Sequence, residues 1–268
     1  MTKPGSNLNA RRHRLDRLLP ILLKISRDNV LLLLAQQRIT VDGTIVTKRE
    51  LIVDGFSIIT LDGVVLQGGK ATYLMLHKPV GVLSATIDKC HRVALDLIEH
   101  PSRSTLHIAG RLDLNASGLL LLTNDGRWSR QLSSPDTGVQ KIYLVTVKNI
   151  LDQDYVAAFD KGMYFPSENI TTRPAGLEIL SEHTAKVTLQ EGRYHQIKRM
   201  FGRFRNPVLQ IHRIAIGGLR LDADLPAGAS RVLTDLEVTL ARQSLTPVMC
   251  LAGRSHSVRH IPYMDNLL

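Results

Sequence analysis

One loop carries an arginine and an aspartate two positions apart, directly ahead of a run of leucines. The stretch Gly110-Arg111-Leu112-Asp113-Leu114-Asn115-Ala116-Ser117-Gly118-Leu119-Leu120-Leu121-Leu122-Thr123-Asn124-Asp125-Gly126 reads as a tight loop bounded by glycines. It feeds a buried strand that ends in an Asn-Asp-Gly turn. A carboxylate beside a dry apolar wall is where an acid, a base or a nucleophile can be tuned. A structural turn aspartate would look the same, and the loop alone does not separate the two readings. The second chemical feature is Gly192–Arg220, which holds Arg193, Lys198, Arg199, Arg203, Arg205, Arg213 and Arg220 and no acidic residue. Tyr194, Phe201, Phe204 and two histidines are interleaved with them. Cations with aromatic faces between them suit RNA; the competing reading is a solvated helix face.

Other chemistries find less support. Cys90 and Cys250 are far apart and form no C-x-x-C pair, which reads as two reduced thiols. His195 and His212 are too widely spaced for a helical metal-ligand pair, and His77, His107 and His195 read as structural or RNA-contacting. No metal and no small-molecule cofactor is expected. Lys78-Pro79-Val80-Gly81 is a turn, since the G-x-x-x-x-G-K-[ST] phosphate loop is absent.

The elements that must position these residues fall into two parts. In Arg11–Leu66, Leu15, Leu18, Leu19, Leu22 and Leu23 recur at helical spacing, with Pro20 placed to kink or restart the turn. Ser26 is an expected N-cap for a second helix through Leu31 to Gln37. Two hairpins are expected, with turns at Asp42-Gly43 and Asp62-Gly63. Residues 67–71 read as a linker. Strands are then expected at Tyr73–His77, Leu119–Thr123, Ile142–Val147, Leu177–Leu180, Ala185–Leu189 and Val208–Ile216. Helices are expected at Val93–Glu99, Asp152–Lys161, His195–Arg203 and Asp235–Arg242. Strands outnumber helices without strict βαβ alternation, which argues for an α+β fold with a mostly antiparallel sheet. Residues 1–10 read as a mobile tail, and 243–268 as an extension with no assigned role.

The chain of 268 residues carries 34 Lys and Arg against 24 acidic residues, a net charge of +10. That surplus favours polyanionic partners, whose condensed counterions each contact releases. The N-terminus has no apolar core of a secretory signal, and the longest apolar runs fall short of a membrane span. The expectation is a soluble cytoplasmic protein that does not engage membranes.

With these residues on the page, the Gly110–Gly126 run resembles the signature of the pseudouridine synthases that act on ribosomal RNA, in the RsuA-like branch. Leu76-His77-Lys78-Pro79-Val80-Gly81, Lys141-Ile142-Tyr143-Leu144-Val145, Glu191-Gly192-Arg193-Tyr194-His195-Gln196-Ile197-Lys198-Arg199-Met200 and Ile214-Ala215-Ile216-Gly217-Gly218-Leu219 match in the same order. The similarity spans about Arg14 to Leu240, and several ordered motifs are far more specific than one. The small-subunit enzyme is the nearer likeness. The resemblance implies a two-lobed, mostly antiparallel synthase domain over 72–242 and a small helix-plus-sheet RNA-binding module over 11–66. It implies Asp113 as the essential carboxylate, Tyr143 as the aromatic face against the target base, and Lys198 as the cation paired with Asp113. It also implies Ile197 packing beside the base and Arg111 holding or flipping the nucleotide, with Arg193, His195 and Arg199 as further substrate contacts. In the module, Arg14, Arg17, Arg27 and Arg38 are the implied phosphate contacts.

The family pattern also locates departures. Ala116 and Ser117 stand where threonine is frequent, and Val30-Leu31-Leu32-Leu33-Leu34-Ala35-Gln36-Gln37 lacks the basic residues and glycine expected of the module's second helix. The implied partner is ribosomal RNA, free or in a partly assembled small subunit; no motif addresses the oligomeric state, and a monomer is the working expectation. The competing functions are a large-subunit rRNA pseudouridine synthase and a non-catalytic ribosome-assembly factor.

Overall fold

In the computed structural model, which describes residues 13–244, the first element is a short strand, β1 (His13–Arg14). The expected tail over 1–10 lies outside the described residues, as does the expected extension except for Gln243 and Ser244. Helix α1 (Leu15–Leu23) runs unbroken through Pro20 rather than restarting there. Leu15, Leu18 and Leu19 are buried on one face, and their packing holds the turn despite the missing N–H. Helix α2 (Arg27–Ala35) is capped as expected, Ser26 Oγ accepting from the Asn29 N–H at 3.3 Å. It stops before the expected Gln37, which adopts a left-handed φ of 58°.

Strands β2 (Ile39–Val41), β3 (Thr44–Ile45), β4 (Ile52–Val53), β5 (Ile59–Leu61) and β6 (Val64–Gln67) follow. Four of them form an antiparallel sheet in the order β3-β2-β5-β6, while β4 pairs with β1. Both expected hairpins are present. Asp42-Gly43 and Asp62-Gly63 have positive φ at both turn positions (51° and 78°, 50° and 80°), the backbone that two-residue hairpin loops prefer. Gln67, expected to open a linker, is the last residue of β6.

The remaining elements are β7 (Tyr73–Lys78), β8 (His107–Ala109), β9 (Ser117–Thr123), α3 (Gly126–Ser133), β10 (Lys141–Val147), α4 (Gln153–Lys161), β11 (Tyr164–Phe165) and β12 (Ile170–Thr171). Then come β13 (Gly176–Ser181), β14 (Thr184–Leu189), α5 (Gln196–Gly202), β15 (Val208–Ile216), β16 (Leu219–Arg220), β17 (Ser230–Val232) and α6 (Asp235–Leu240). A nine-stranded sheet runs β13-β14-β10-β15-β9-β7-β17, with β8 added on β9 and β16 on β15. Every pairing in it is antiparallel except β9 with β15. This is the α+β, mostly antiparallel architecture expected.

The four leucines of β9 explain why helices cover both faces of this sheet. Leu120 and Leu122 point into a core with Tyr143, Val145, Phe159, Met200 and Phe201, under α4 and α5. Leu119 and Leu121 point into the opposite core with Met75, Trp128, Leu132, Ile216 and Val238, under α3 and α6. All four are fully buried, so the run is continuous rather than alternating.

Two expectations fail for local reasons. Val93–Glu99 is only a 3₁₀ turn over Ala94–Leu97, and the backbone is extended again at Ile98, so the segment ends before a second turn forms. Asn124-Asp125-Gly126, expected as a turn, starts α3: the Asp125 carboxylate accepts from the Arg127 and Trp128 N–H groups at 2.8 and 3.1 Å. Trp128 and Leu132 then bury one helical turn apart, and the Trp128 indole N–H donates to the Val238 carbonyl at 3.1 Å.

The loop between β8 and β9, which carries Asp113, has no ladder of its own, yet its carbonyls are satisfied almost one by one. Arg213 donates to Gly110 O at 2.9 Å, Arg111 O at 3.2 Å and Leu119 O at 2.7 Å. Ser84 Oγ donates to Leu112 O at 2.7 Å and accepts from the Leu112 N–H at 3.0 Å. Lys78 Nζ donates to Leu114 O at 3.3 Å, Ala116 O at 2.6 Å and Pro79 O at 3.0 Å. Arg213, read from sequence among the RNA-facing cations, is thus buried beneath the loop, and so is Lys78. Gly118 makes this possible: with φ of 106° it lies against the Arg213 backbone so closely that a Cβ would collide with it.

Two outcomes follow from this packing. Leu121→Ala should lose about 2–5 kcal/mol of stability in a urea titration, while Leu236→Ala, at a position 68% exposed, should stay within about 0.5 kcal/mol of wild type. Burial pulls the Lys78 ammonium from 10.5 down to about 8, the Asp113 charge opposing and Arg213 adding to the shift. Between those values the unfolded chain still holds the proton that the folded chain has released. The Lys78 contribution to stability is therefore least favourable below about pH 8 and improves as pH rises through the window. Urea midpoints at about pH 7 and about pH 10 should show wild type gaining on Lys78→Met at the higher pH; a constant gap would contradict this account.

Candidate active site

Asp113 stands at the edge of a cleft of about 260 Å³, its side chain 30% exposed. Two nitrogens face its carboxylate: His195 Nε2 lies 3.6 Å from Oδ2 and Lys198 Nζ lies 4.0 Å from the same oxygen. The structure therefore brings Lys198 to Asp113, at the outer limit of an ion pair. It also sets the His195 ring closer, although nothing in sequence spacing linked His195 to a carboxylate. The His195 and Lys198 side chains are both partly buried, at 37% and 32% exposure, which leaves the site open to water on one side.

Much of the remaining lining is apolar. Leu112, Ala116, Tyr143, Leu189, Ile197 and Ile211 line the cleft, and each of them is buried. Tyr143 comes from β10, held between β14 and β15, and the Arg213 guanidinium lies 6.0 Å from the centre of its ring. The cation that grips the Asp113 loop thus also sits against the aromatic wall. Lys141, two residues before Tyr143, is buried with its Nζ donating to Val139 O at 2.8 Å, and burial pulls it to about 8, with Arg213 adding to the shift.

The third side is the turn leading into α5, built around Glu191. This buried carboxylate accepts from the Arg173 N–H at 3.0 Å, from Arg193 Nε at 3.0 Å and from Gln196 Nε2 at 2.8 Å. Gln196 Oε1 in turn accepts from the Arg193 N–H at 3.1 Å. The knot turns the backbone sharply, and His195 takes a left-handed φ of 50° before α5 begins. Arg193, Tyr194 and His195 are thereby presented to the cleft, with Ile197 behind them.

The remaining expected residues are placed unevenly. Arg111 is exposed and lines the cleft. Arg199 does not line it; the guanidinium pairs with Glu168 and lies 3.9 Å over the Phe165 ring. His77 Nδ1 is 2.8 Å from Leu225 O and His107 Nε2 is 2.8 Å from Ser129 Oγ, both away from the cleft. In the N-terminal unit, Arg14 pairs with Asp16 at 2.8 Å, and Arg38 grips Asp62 through two nitrogens. Arg17 and Arg27 are exposed with no carboxylate partner among the described residues. Sequence reading missed Ser84, Lys78 and Glu191 as supports of the site. Glu191 was visible as the first acid before the basic run, but its burial was not. Among the described residues, no three His, Cys, Asp or Glu side chains cluster as a metal site would require.

Comparison with known proteins gives a consistent result. A family model for RNA pseudouridylate synthase matches residues 72–202. The chain is 48% identical over 226 residues to ribosomal small subunit pseudouridine synthase A of Pseudomonas aeruginosa, covering 84% of this chain and 98% of that one. It is 39% identical to the protein of the same name from Escherichia coli K12 over the same shares. A crystal structure of a pseudouridylate synthase aligns with a TM-score of 0.63 at 34% identity, covering 85% of this chain and 99% of the other. The run of ordered motifs, the sheet that carries them and these relatives agree: the chain belongs to the RsuA-like branch of the RNA pseudouridylate synthase family.

Proposed function

We propose that this protein converts one uridine of small-subunit ribosomal RNA to pseudouridine, with Asp113 as the essential carboxylate. The observation that carries the reading is the pairing, across one cleft, of a carboxylate faced by two nitrogens with a wall formed by Tyr143, Ile197 and Leu112. The reaction breaks the bond from C1′ to N1 of uracil and joins C1′ to C5. C5 gives up a proton and N1 gains one, so no oxidant, reductant or water is consumed. An uracil must leave its stack to react, and the cleft is just smaller than the roughly 300–1,000 Å³ of sites for drug-sized ligands. That size suits one base rather than a length of strand.

In this reading Asp113 acts on the target nucleoside, and Tyr143 and Ile197 hold the freed base on its face and edge. Lys198 Nζ and His195 Nε2, at 4.0 and 3.6 Å from the Asp113 carboxylate, are the polar groups that hold it in place once the base excludes water. Arg111, exposed at the rim with no carboxylate partner among the described residues, is suited to the phosphates or the displaced nucleotide, and Arg193, whose Nε already serves Glu191, is the lesser contact. The choice of small-subunit rRNA rests on the relatives named for that activity, at 48% and 39% identity.

The division into a module over 11–66 and a synthase domain over 72–242 belongs to the same proposal. Arg17 and Arg27 are the module's better phosphate contacts, since Arg14 and Arg38 already serve carboxylates. The proposed protein works as a monomer in the cytoplasm, on RNA that is free or in a partly assembled subunit. No helix among the described residues is long and apolar enough to cross a membrane.

Asp113→Asn should abolish pseudouridine formation while leaving RNA affinity within about twofold, because the amide keeps the shape and loses the charge. The check is pseudouridine mapping of total RNA from the source cell lacking the gene, complemented with wild type or with Asp113→Asn. A single uridine lost from small-subunit rRNA and restored by wild type alone is the expected pattern. A loss in large-subunit rRNA or in tRNA would keep the chemistry and replace the target. No loss at any position would favour a binding factor without catalysis.

A further inference from the structure

Tyr194 is the most exposed large aromatic of the described residues, at 75%, and it stands on the lining of the cleft. Isolated exposed apolar side chains are ordinary. This one is not isolated. One face of its ring is stacked on His195, with centroids 3.8 Å apart and planes 23° apart, and that imidazole is the nearer nitrogen to Asp113. The backbone beneath it is held on each side. The Arg193 N–H donates to Gln196 Oε1, Arg199 Nη1 approaches Tyr194 O at 3.4 Å, and His195 is locked in left-handed backbone. Arg199 is itself anchored by Glu168 and Phe165. The ring is thus offered in a fixed place at the cleft mouth, with arginines at 193 and 111 nearby on the same lining.

Drawing a uridine out of a strand removes a stacking partner from each of its neighbours. A rigid aromatic face beside cations replaces such a partner for any base, because every base has a π-face. Building on the reading of this site as uridine-isomerising, we propose that Tyr194 stacks on a nucleobase flanking the extruded uridine and so fixes the register in which the strand enters the cleft. Tyr194 is a positioning residue here, acting on the neighbour while Asp113 acts on the target.

The test uses the full-length protein and a transcript of small-subunit rRNA, with the modified uridine located by mapping. Tyr194→Ala should raise KM about tenfold, within the range for loss of one base–aromatic stack, with a much smaller change in kcat. Tyr194→Phe should stay within about twofold of wild type, since the ring and not the hydroxyl does the stacking. Two further transcripts carry an abasic site on either side of the target. On one of them wild type should show the same KM penalty, and Tyr194→Ala should add nothing to it. The proposal is overturned if Tyr194→Ala matches wild type, if it lowers kcat at unchanged KM, if Tyr194→Phe is as impaired as Tyr194→Ala, or if the alanine penalty persists in full on both abasic transcripts. Failure of wild type to form pseudouridine in any rRNA is separately visible, and would remove the reading of the site and this proposal together.

Discussion

Close parallel contact between β9 and β15 is the constraint on which the rest of the site depends. His212 lies opposite Ser117 and Arg213 opposite Gly118, the one parallel pairing in an otherwise antiparallel sheet. Only a residue without a Cβ fits there, and the backbone of Gly118 is in the region of φ that glycine alone adopts freely. That contact carries the Arg213 side chain under the neighbouring loop, where three carbonyls close around its guanidinium. Lys78, at the end of β7, closes the other flank. Two buried cations are costly to desolvate. Here six carbonyl hydrogen bonds, and at Lys78 the Asp113 charge, offset part of that cost, with burial still pulling the Lys78 ammonium to about 8. The outcome is a loop whose geometry is set from below rather than by its own turn propensity.

The polar side of the cleft follows a similar logic with the signs reversed. Glu191 is a buried anion surrounded by one backbone and two side-chain donors, and it shapes the turn that presents His195 and Tyr194. A cation-supported loop carrying an aspartate therefore faces an anion-supported turn carrying a histidine, with Lys198 in the first turn of α5. Satisfied buried networks of this kind resist displacement, because breaking one bond strands a group away from water. The rigid supports belong to the sheet and its connections, whereas the polar groups at the cleft, Asp113, His195 and Lys198, are partly exposed.

How legible this was in the sequence varies with the range of the interaction. The hairpins at Asp42-Gly43 and Asp62-Gly63, the Ser26 cap and the long strands came through with ends shifted by a residue or two. Helix α3 did not, because its Asp-Gly start is also a turn signal and its stability comes from Trp128 and Leu132 meeting β7, β9 and α6. The basic run was read as one RNA-facing surface, yet Arg213 is internal and Arg199 serves Glu168. In the N-terminal unit, Arg38, expected among the phosphate contacts, also holds Asp62 beside the β2–β5 pairing, a contact that its sequence neighbours do not announce.

By itself the sequence determined what local sterics and periodicity govern: the turns, the caps, the doubly buried leucine strand, the excess of positive charge and the ordered motifs that place the chain in its family. These depend on residues a few positions apart, whose allowed φ and ψ are the same in any fold. Only the tertiary structure decided which charges are buried, which nitrogens face Asp113, and that Arg213 supports Arg111 from 102 residues away in the chain. Such pairings carry no local signature. An arginine in water and an arginine beneath a loop have the same neighbours in sequence, and they differ only in whether distant carbonyls arrive to replace the water.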